Sequence, residues 1–235
     1  MINISIVIPF FNENKNLEYL IKEWSNYLKK NLNIKNNFYF KLYFFNDGST
    51  DNSVDIINSS EKLFDYEIIN KKNSGHGDTC IYSYKYIISL NKFDYILQID
   101  SDNQCDPKYL NQFLKKIPKS KFIFGNRVKR EDGFIRIVAT KLLSISVLII
   151  SRKYIPDLNV PYRIMKCNDL IPYLSRIPKD VELKNAYLTF LIINKNRINW
   201  INLTFRKRLS GSSFFKLNKM FKFFINLLKH IYHNK

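Results

Sequence analysis

At 235 residues and 46% hydrophobic content, the chain is long enough for one sizeable α/β domain with an appendage and too apolar to be disordered. Lysine and arginine number 38 against 20 acidic residues, and the net charge of +18 suits polyanions, anionic lipid surfaces or phosphorylated substrates without choosing among them. The three cysteines, Cys80, Cys105 and Cys167, are too scattered for a zinc site and fit a reducing, cytoplasmic compartment.

The apolar run from Ile2 to Pro9 reads as a buried strand with no basic leader before it. From Asn14 to Lys30, Leu17, Leu20, Ile21, Trp24 and Leu28 fall at helical spacing. Phe38 to Phe45 reads as a second strand, closed by Asn46-Asp47-Gly48-Ser49-Thr50, with a helix from Asp51 to Ser60 after it. A third strand spans Tyr66 to Asn70, Asn73-Ser74-Gly75-His76-Gly77 forms a loop, and Thr79 to Leu90 forms a helix leading to the strand Tyr95 to Ile99. Strands alternating with helices predict a parallel sheet with right-handed crossovers. Ligands of such sheets bind beyond the carboxyl ends of the strands, so the polar loops that fall there should converge.

Beyond Phe122-Ile123-Phe124-Gly125 no clear βα repeat continues. A helix is expected over Ile135 to Ile150, a turn over 156–161, a helix over Leu183 to Ile193 and a strand over Trp200 to Phe205. The longest apolar stretch, Leu142 to Ile150, is broken by Ser144 and Ser146 and falls short of the roughly 20 residues a spanning helix needs. A functional boundary near Arg127 divides the chain into 1–126 and 127–235. The last segment sets Lys216, Lys219, Lys222, Asn226, Lys229 and His233 on one face and Leu217, Met220, Phe221, Phe224, Leu227, Leu228 and Ile231 on the other. Such a basic amphipathic helix suits either the lipid interface or packing against the body.

The chemistry concentrates in Asp100-Ser101-Asp102-Asn103-Gln104, at the carboxyl end of the apolar strand Ile96 to Ile99. Two carboxylates one residue apart repel each other unless a cation offsets them. Mg2+ or Mn2+ does so, binding through one or two carboxylates plus substrate phosphates. The same cluster also suits an Asx-rich turn. No recognised nucleic-acid motif accompanies the positive charge, so no nucleic-acid partner is expected.

Four fragments in order, Val7-Ile8-Pro9-Phe10-Phe11-Asn12-Glu13, Asn46-Asp47-Gly48-Ser49-Thr50-Asp51, Asn73-Ser74-Gly75-His76-Gly77 and Asp100-Ser101-Asp102-Asn103-Gln104, resemble the family 2 inverting glycosyltransferases. Gly125-Asn126-Arg127, Asp157-Leu158-Asn159-Val160-Pro161-Tyr162-Arg163 and Arg208-Leu209-Ser210-Gly211-Ser212-Ser213 are similar to segments of the dolichol-phosphate mannose synthase branch. The resemblance implies the GT-A fold, a Rossmann-like, mostly parallel α/β sheet flanked by helices, with amphipathic helices at the C-terminus. It implies that 1–126 is a donor half, binding a nucleoside-diphosphate sugar at Pro9, Phe11, Glu13, Asp47, Gly48, Gly75, Gly77, Asp100 and Ser101, and that 127–235 is an acceptor half. Asp100, Asp102 and Gln104 would hold the metal, with Asp102, Arg127 and Arg208 catalytic. Arg127, Arg163, Arg206, Arg208 and Ser213 would face the acceptor phosphate, a polyprenyl phosphate at the cytoplasmic face of an anionic membrane. A saccharide hydroxyl is the alternative acceptor, and for each arginine a plain surface role is the alternative.

Three departures from the family stand out. Asn46 occupies a position where an aspartate is usual, Lys141 with nearby Arg136 replaces a paired basic motif, and Glu182 is the nearest match to an acceptor-side acid. His76 reads as a loop residue rather than a metal ligand. Gly48 is expected to permit a turn that exposes the Asp47 carboxylate, and Gly75 and Gly77 to let backbone approach a ligand.

Overall fold

The computed structural model describes residues 1–31, 37–61, 65–130, 134–208 and 217–233. Its first half repeats the βα unit: β1 (Ile2–Phe10), α1 (Asn14–Lys30), β2 (Phe38–Asn46), α2 (Ser53–Ser59), β3 (Tyr66–Asn70), α3 (His76–Ser89) and β4 (Tyr95–Gln98). The second half comprises α4 (Leu110–Leu114), β5 (Phe122–Arg130), α5 (Phe134–Ser151), β6 (Arg163–Lys166), α6 (Cys167–Leu174), α7 (Lys184–Lys195), β7 (Asn199–Phe205) and α8 (Leu217–His233).

Among the described residues, seven strands join one sheet in the order β3-β2-β1-β4-β6-β5-β7. β1 is buried from Ile4 through Phe10 and pairs parallel with β2 and β4, which explains its continuous rather than alternating apolar run. The mostly parallel α/β sheet expected from the sequence is therefore present, with one departure. β6 runs antiparallel to both β4 and β5 and fills the place between them. β5 crosses position 126/127, so donor and acceptor halves share a strand as well as a sheet. The two regions are not separate layers.

α8 packs its Leu227 and Ile231, both fully buried, onto the body, with Phe224 and Leu228 partly buried beside them. Its neighbours are α5 and α7. The helix thus packs these residues of its apolar face against the body, while the side chains of Leu217, Met220 and Phe221 lie outside the described residues. α5 behaves differently. Leu143 and Val147 point inward, whereas Val138, Leu142, Ile145 and Ile149 form an outward stripe, with Ile149 75% exposed. Their spacing of four, three and four residues places all of them on one helical face. Among the described residues, no helix is long and apolar enough to cross a membrane.

Candidate functional site

The loops at the carboxyl ends of β1, β2, β3 and β4 meet, as the sheet topology requires. The Asp47 backbone N–H donates to Phe10 O at 2.9 Å, and Asn12 N–H to Ser49 Oγ at 3.0 Å, tying the first two loops together. Asp47 itself is 3% exposed, so the expected presentation of its carboxylate is corrected. Both oxygens are engaged: Oδ1 accepts from Lys71 Nζ at 2.5 Å and Ser74 N–H at 2.9 Å, and Oδ2 from Gly75 N–H at 2.9 Å. Although burial opposes it, the bonds from Lys71, Thr79 and Ser74 hold this carboxyl below its ordinary range. Asp47 therefore shapes the 71–75 loop. Gly75, at φ +93°, gives that loop the left-handed corner it needs before α3 begins at His76. Gly77 is small for a different reason: a Cβ there would lie 2.9 Å from Glu182 O, so the close approach is to the chain's own backbone. Glu182 itself is exposed.

Past β4 stand Asp100 and Asp102. Gln98 Nε2 donates to Asp100 Oδ1 at 3.2 Å, while Gln98 Oε1 lies 2.5 Å from Tyr84 Oη. Tyr84 Oη is also 2.9 Å from Asn185 Oδ1, so a buried chain from α7 through α3 orients Asp100. His76 Nε2, at the first turn of α3, lies 3.5 Å from the same Asp100 Oδ1 and 3.5 Å from Cys80 Sγ. Cys80, and then the charges of Asp100 and Asp102, raise the His76 imidazole to about 10. Asp102 is raised to about 7, first by burial and then by the Asp100 charge, with the Gln104 N–H and the Arg208 charge pulling against them. The carboxylate oxygens of Asp100 and Asp102 are donors of the kind a hard divalent cation takes, and such an ion would displace the proton held at Asp102. Among the described residues no group of three or more His, Cys, Asp and Glu could hold a metal ion by itself. This donor set therefore suits an ion that completes its shell from diphosphate and water.

Gln104 is buried, and its Nε2 donates to Arg206 O at 2.6 Å while Arg206 N–H donates back to Gln104 O at 3.2 Å. Its amide thereby ties the segment after β7 to the Asp100 loop. Ser101 is buried in that loop, Pro9 is buried within β1, and Phe11 is half-buried at its mouth. Glu13 caps α1 and spreads its carboxylate between Asn16 Nδ2, at 2.6 Å, and the Arg208 guanidinium.

The four arginines separate. Arg163 is fully buried, stacks over the Phe124 ring at 4.8 Å, and donates to Val160 O, Asn185 O and Thr189 Oγ1. Its expected place at an acceptor phosphate is corrected: it is a core residue. Arg127 forks onto Asp157 at 2.6 and 2.8 Å and covers the Phe205 ring, so its charge is compensated and its side chain is 9% exposed. Arg206 pairs with Glu23 at 2.7 Å and with Asp106. Both are held in ion pairs with carboxylates. Arg208 is the one whose charge acts on Asp102, and it sits across the loop from Glu13. Ser213 lies outside the described residues.

Gln98, Tyr84 and Asn185 are site residues beyond those the sequence motifs contain, and His76, expected in the loop, opens α3. Gln98 is the residue with a signal, a buried polar side chain in an otherwise apolar strand two positions before Asp100.

Comparison with known proteins agrees with this geometry. The solved structure of glucosyl-3-phosphoglycerate synthase from Mycobacterium tuberculosis in complex with Mn2+, UDP-glucose and phosphoglyceric acid is similar, at TM-score 0.71 and 16% identity, over 97% of this chain and 79% of that one. A UDP complex of the same synthase matches at TM-score 0.66, 15% identity and 97% and 80% coverage. At that identity the likeness establishes the GT-A fold. An uncharacterized protein, MJ0544, from Methanocaldococcus jannaschii is 30% identical over 192 residues, 77% of this chain and 76% of its own. Residues 5–168 match the model of glycosyl transferase family 2. With the carboxylates past β4, the converging loops and the sheet all in place, the chain belongs to glycosyl transferase family 2 and is a glycosyltransferase.

Proposed function

We propose that the protein moves a sugar from a nucleoside-diphosphate sugar to a polyprenyl phosphate, working peripherally on the cytoplasmic face of an anionic membrane. The observation that carries the acceptor half is the exposed apolar stripe of α5. This helix follows β5, the strand that bears Arg127, after only three intervening residues, and its outward stripe is accompanied by exposed Lys141. Exposed Lys222 and Lys229 lie on the adjoining α8. An apolar stripe with lysines near it suits burial in the headgroup region with the cations toward anionic lipid.

For the donor half, Asp100 and Asp102 would hold Mg2+ or Mn2+, with the Gln104 oxygen as a further candidate ligand. When bound, such an ion supplies charge neutralisation for the departing nucleoside diphosphate. The bound Mn2+ and UDP-glucose of the similar synthase support this reading. Gln98 holds Asp100 in place, and the 71–75 loop, shaped by Asp47, bounds the nucleotide side. A phosphate acceptor is already ionised at neutral pH, so its oxygen needs no protein base to attack the anomeric carbon with inversion. The chain's task becomes positioning and charge compensation. Arg208, beside Asp102, is the guanidinium best suited to pair with the acceptor phosphate.

A phosphorylated small acid is a second reading, favoured by the phosphoglyceric acid bound in the similar synthase. One experiment separates them: radiolabelled UDP- and GDP-sugars are offered with polyprenyl phosphate in anionic vesicles, with phosphoglyceric acid, and with free oligosaccharide. Label should pass to the polyprenyl phosphate. Transfer only to the acid or the oligosaccharide would overturn the lipid reading.

A further inference from the structure

We infer that Asn226, on α8, is a positioning residue for the donor cleft: through the segment 179–182 it holds the first turn of α3 against the loops that carry Asp47 and Asp100. The inference rests on the sugar-nucleotide reading of that cleft proposed above.

The segment joins α6 to α7, and side chains hold its backbone from two directions. Asn226 bridges it with both ends of one carboxamide: Nδ2 donates to Asp180 O at 3.2 Å, and Oδ1 accepts from Glu182 N–H at 3.2 Å. One helical turn further along α8, His230 Nε2 lies 3.2 Å from Asp180 Oδ2. From the interior, the buried Lys184 donates its Nζ to Lys179 O and Val181 O, both at 2.8 Å, and the Val181 side chain is itself fully buried. Backbone groups outside helices and strands need such partners, and a fork onto an acceptor and a donor two residues apart fixes the peptide planes between them.

The segment so fixed lies against α3. Glu182 O stands where a Cβ on Gly77 would be 2.9 Å away, and Lys184 Nζ is 3.4 Å from Asp78 Oδ2. The opposite side of the same turn faces the cleft: Gly75 N–H donates to Asp47 Oδ2 at 2.9 Å, and His76 Nε2 is 3.5 Å from Asp100 Oδ1. The first turn of α3 is therefore gripped between 179–182 and the donor loops. Asn226 sets one jaw of that grip from a distant part of the chain.

Titration calorimetry of the full chain with UDP and with GDP, each with Mn2+ and well below the unfolding temperature, tests this, with thermal melts alongside. Asn226→Ala should weaken whichever nucleotide wild type binds by about fivefold. Asn226→Asp keeps an acceptor for Glu182 N–H but loses the donor to Asp180 O, and should fall between the two. Gly77→Ala pushes on the same contact from the α3 side and should weaken binding similarly; combining it with Asn226→Ala should add little to the worse single change, because both release one contact. If Asn226→Ala lowers the melting temperature yet binds nucleotide like wild type, Asn226 only stabilises the fold and the inference is overturned. Fully additive losses overturn it as well. Should Asn226→Ala fail to fold, wild-type affinity in both Asn226→Asp and Gly77→Ala overturns it. If wild type binds neither nucleotide, the donor reading falls and the inference with it.

Discussion

Arg163 and Arg208 show how much depends on what surrounds a guanidinium. Removing Arg163 leaves buried carbonyl and hydroxyl acceptors unpaired and a gap on Phe124, so Arg163→Ala should lower stability by about 2–4 kcal/mol, read from urea unfolding. Arg208→Ala should reduce kcat by roughly 100-fold and also lower the unfolding midpoint, because it takes one partner from the buried Glu13 carboxylate, which Asn16 Nδ2 continues to hold. Asp102 adds a pH signature. Its carboxyl is raised to about 7, so the folded protein without metal favours the protonated form and loses that stabilisation as pH rises through 7. A cation competes with the same proton. Mn2+ affinity should therefore weaken about tenfold per pH unit below about 7, measured by titration calorimetry in at least two buffers.

α5 and α8 lie side by side yet use their apolar residues differently. Leu227 is fully buried, and Leu227→Ala should cost about 2–4 kcal/mol through the cavity it leaves. Ile145→Glu and Ile149→Glu fall on exposed positions and should leave thermal unfolding within a degree or two of wild type. Vesicle flotation should show both variants losing affinity for anionic liposomes. Undiminished flotation would remove the membrane from the acceptor reading. The helical periods of both segments were legible in the sequence, because hydrophobic spacing reports which face is apolar. It does not report whether another helix covers that face, and the basic stripe drew attention to α8 when the bare stripe belongs to α5.

In the molecule taken as one body, the donor loops were readable because each places its chemistry in consecutive residues after an apolar strand. The support beneath them was not. Tyr84 and Asn185, 101 positions apart in the chain, meet only through the fold, and Gln98 looks like any strand residue until its partners are known. β6 was hidden for related reasons: it has four residues, begins with a buried arginine, and runs against the direction set by its predecessors. Its neighbours nonetheless depend on it.

Because β6 alone bridges β4 to β5, the sheet has an internal seam rather than a removable end. A fragment ending at residue 126 would strip β6 from β4 and leave the four-residue, fully buried run Tyr95–Gln98 with open N–H and C=O groups along one side. Such an edge invites pairing with other chains. The donor half expressed by itself should therefore enter aggregates rather than bind nucleotide, and co-expression with 127–235 should rescue solubility only if β6 recovers its place between β4 and β5. The chain is consequently indivisible at residue 126: any exchange of the region beyond it must carry along a strand that refills the place of β6 beside β4.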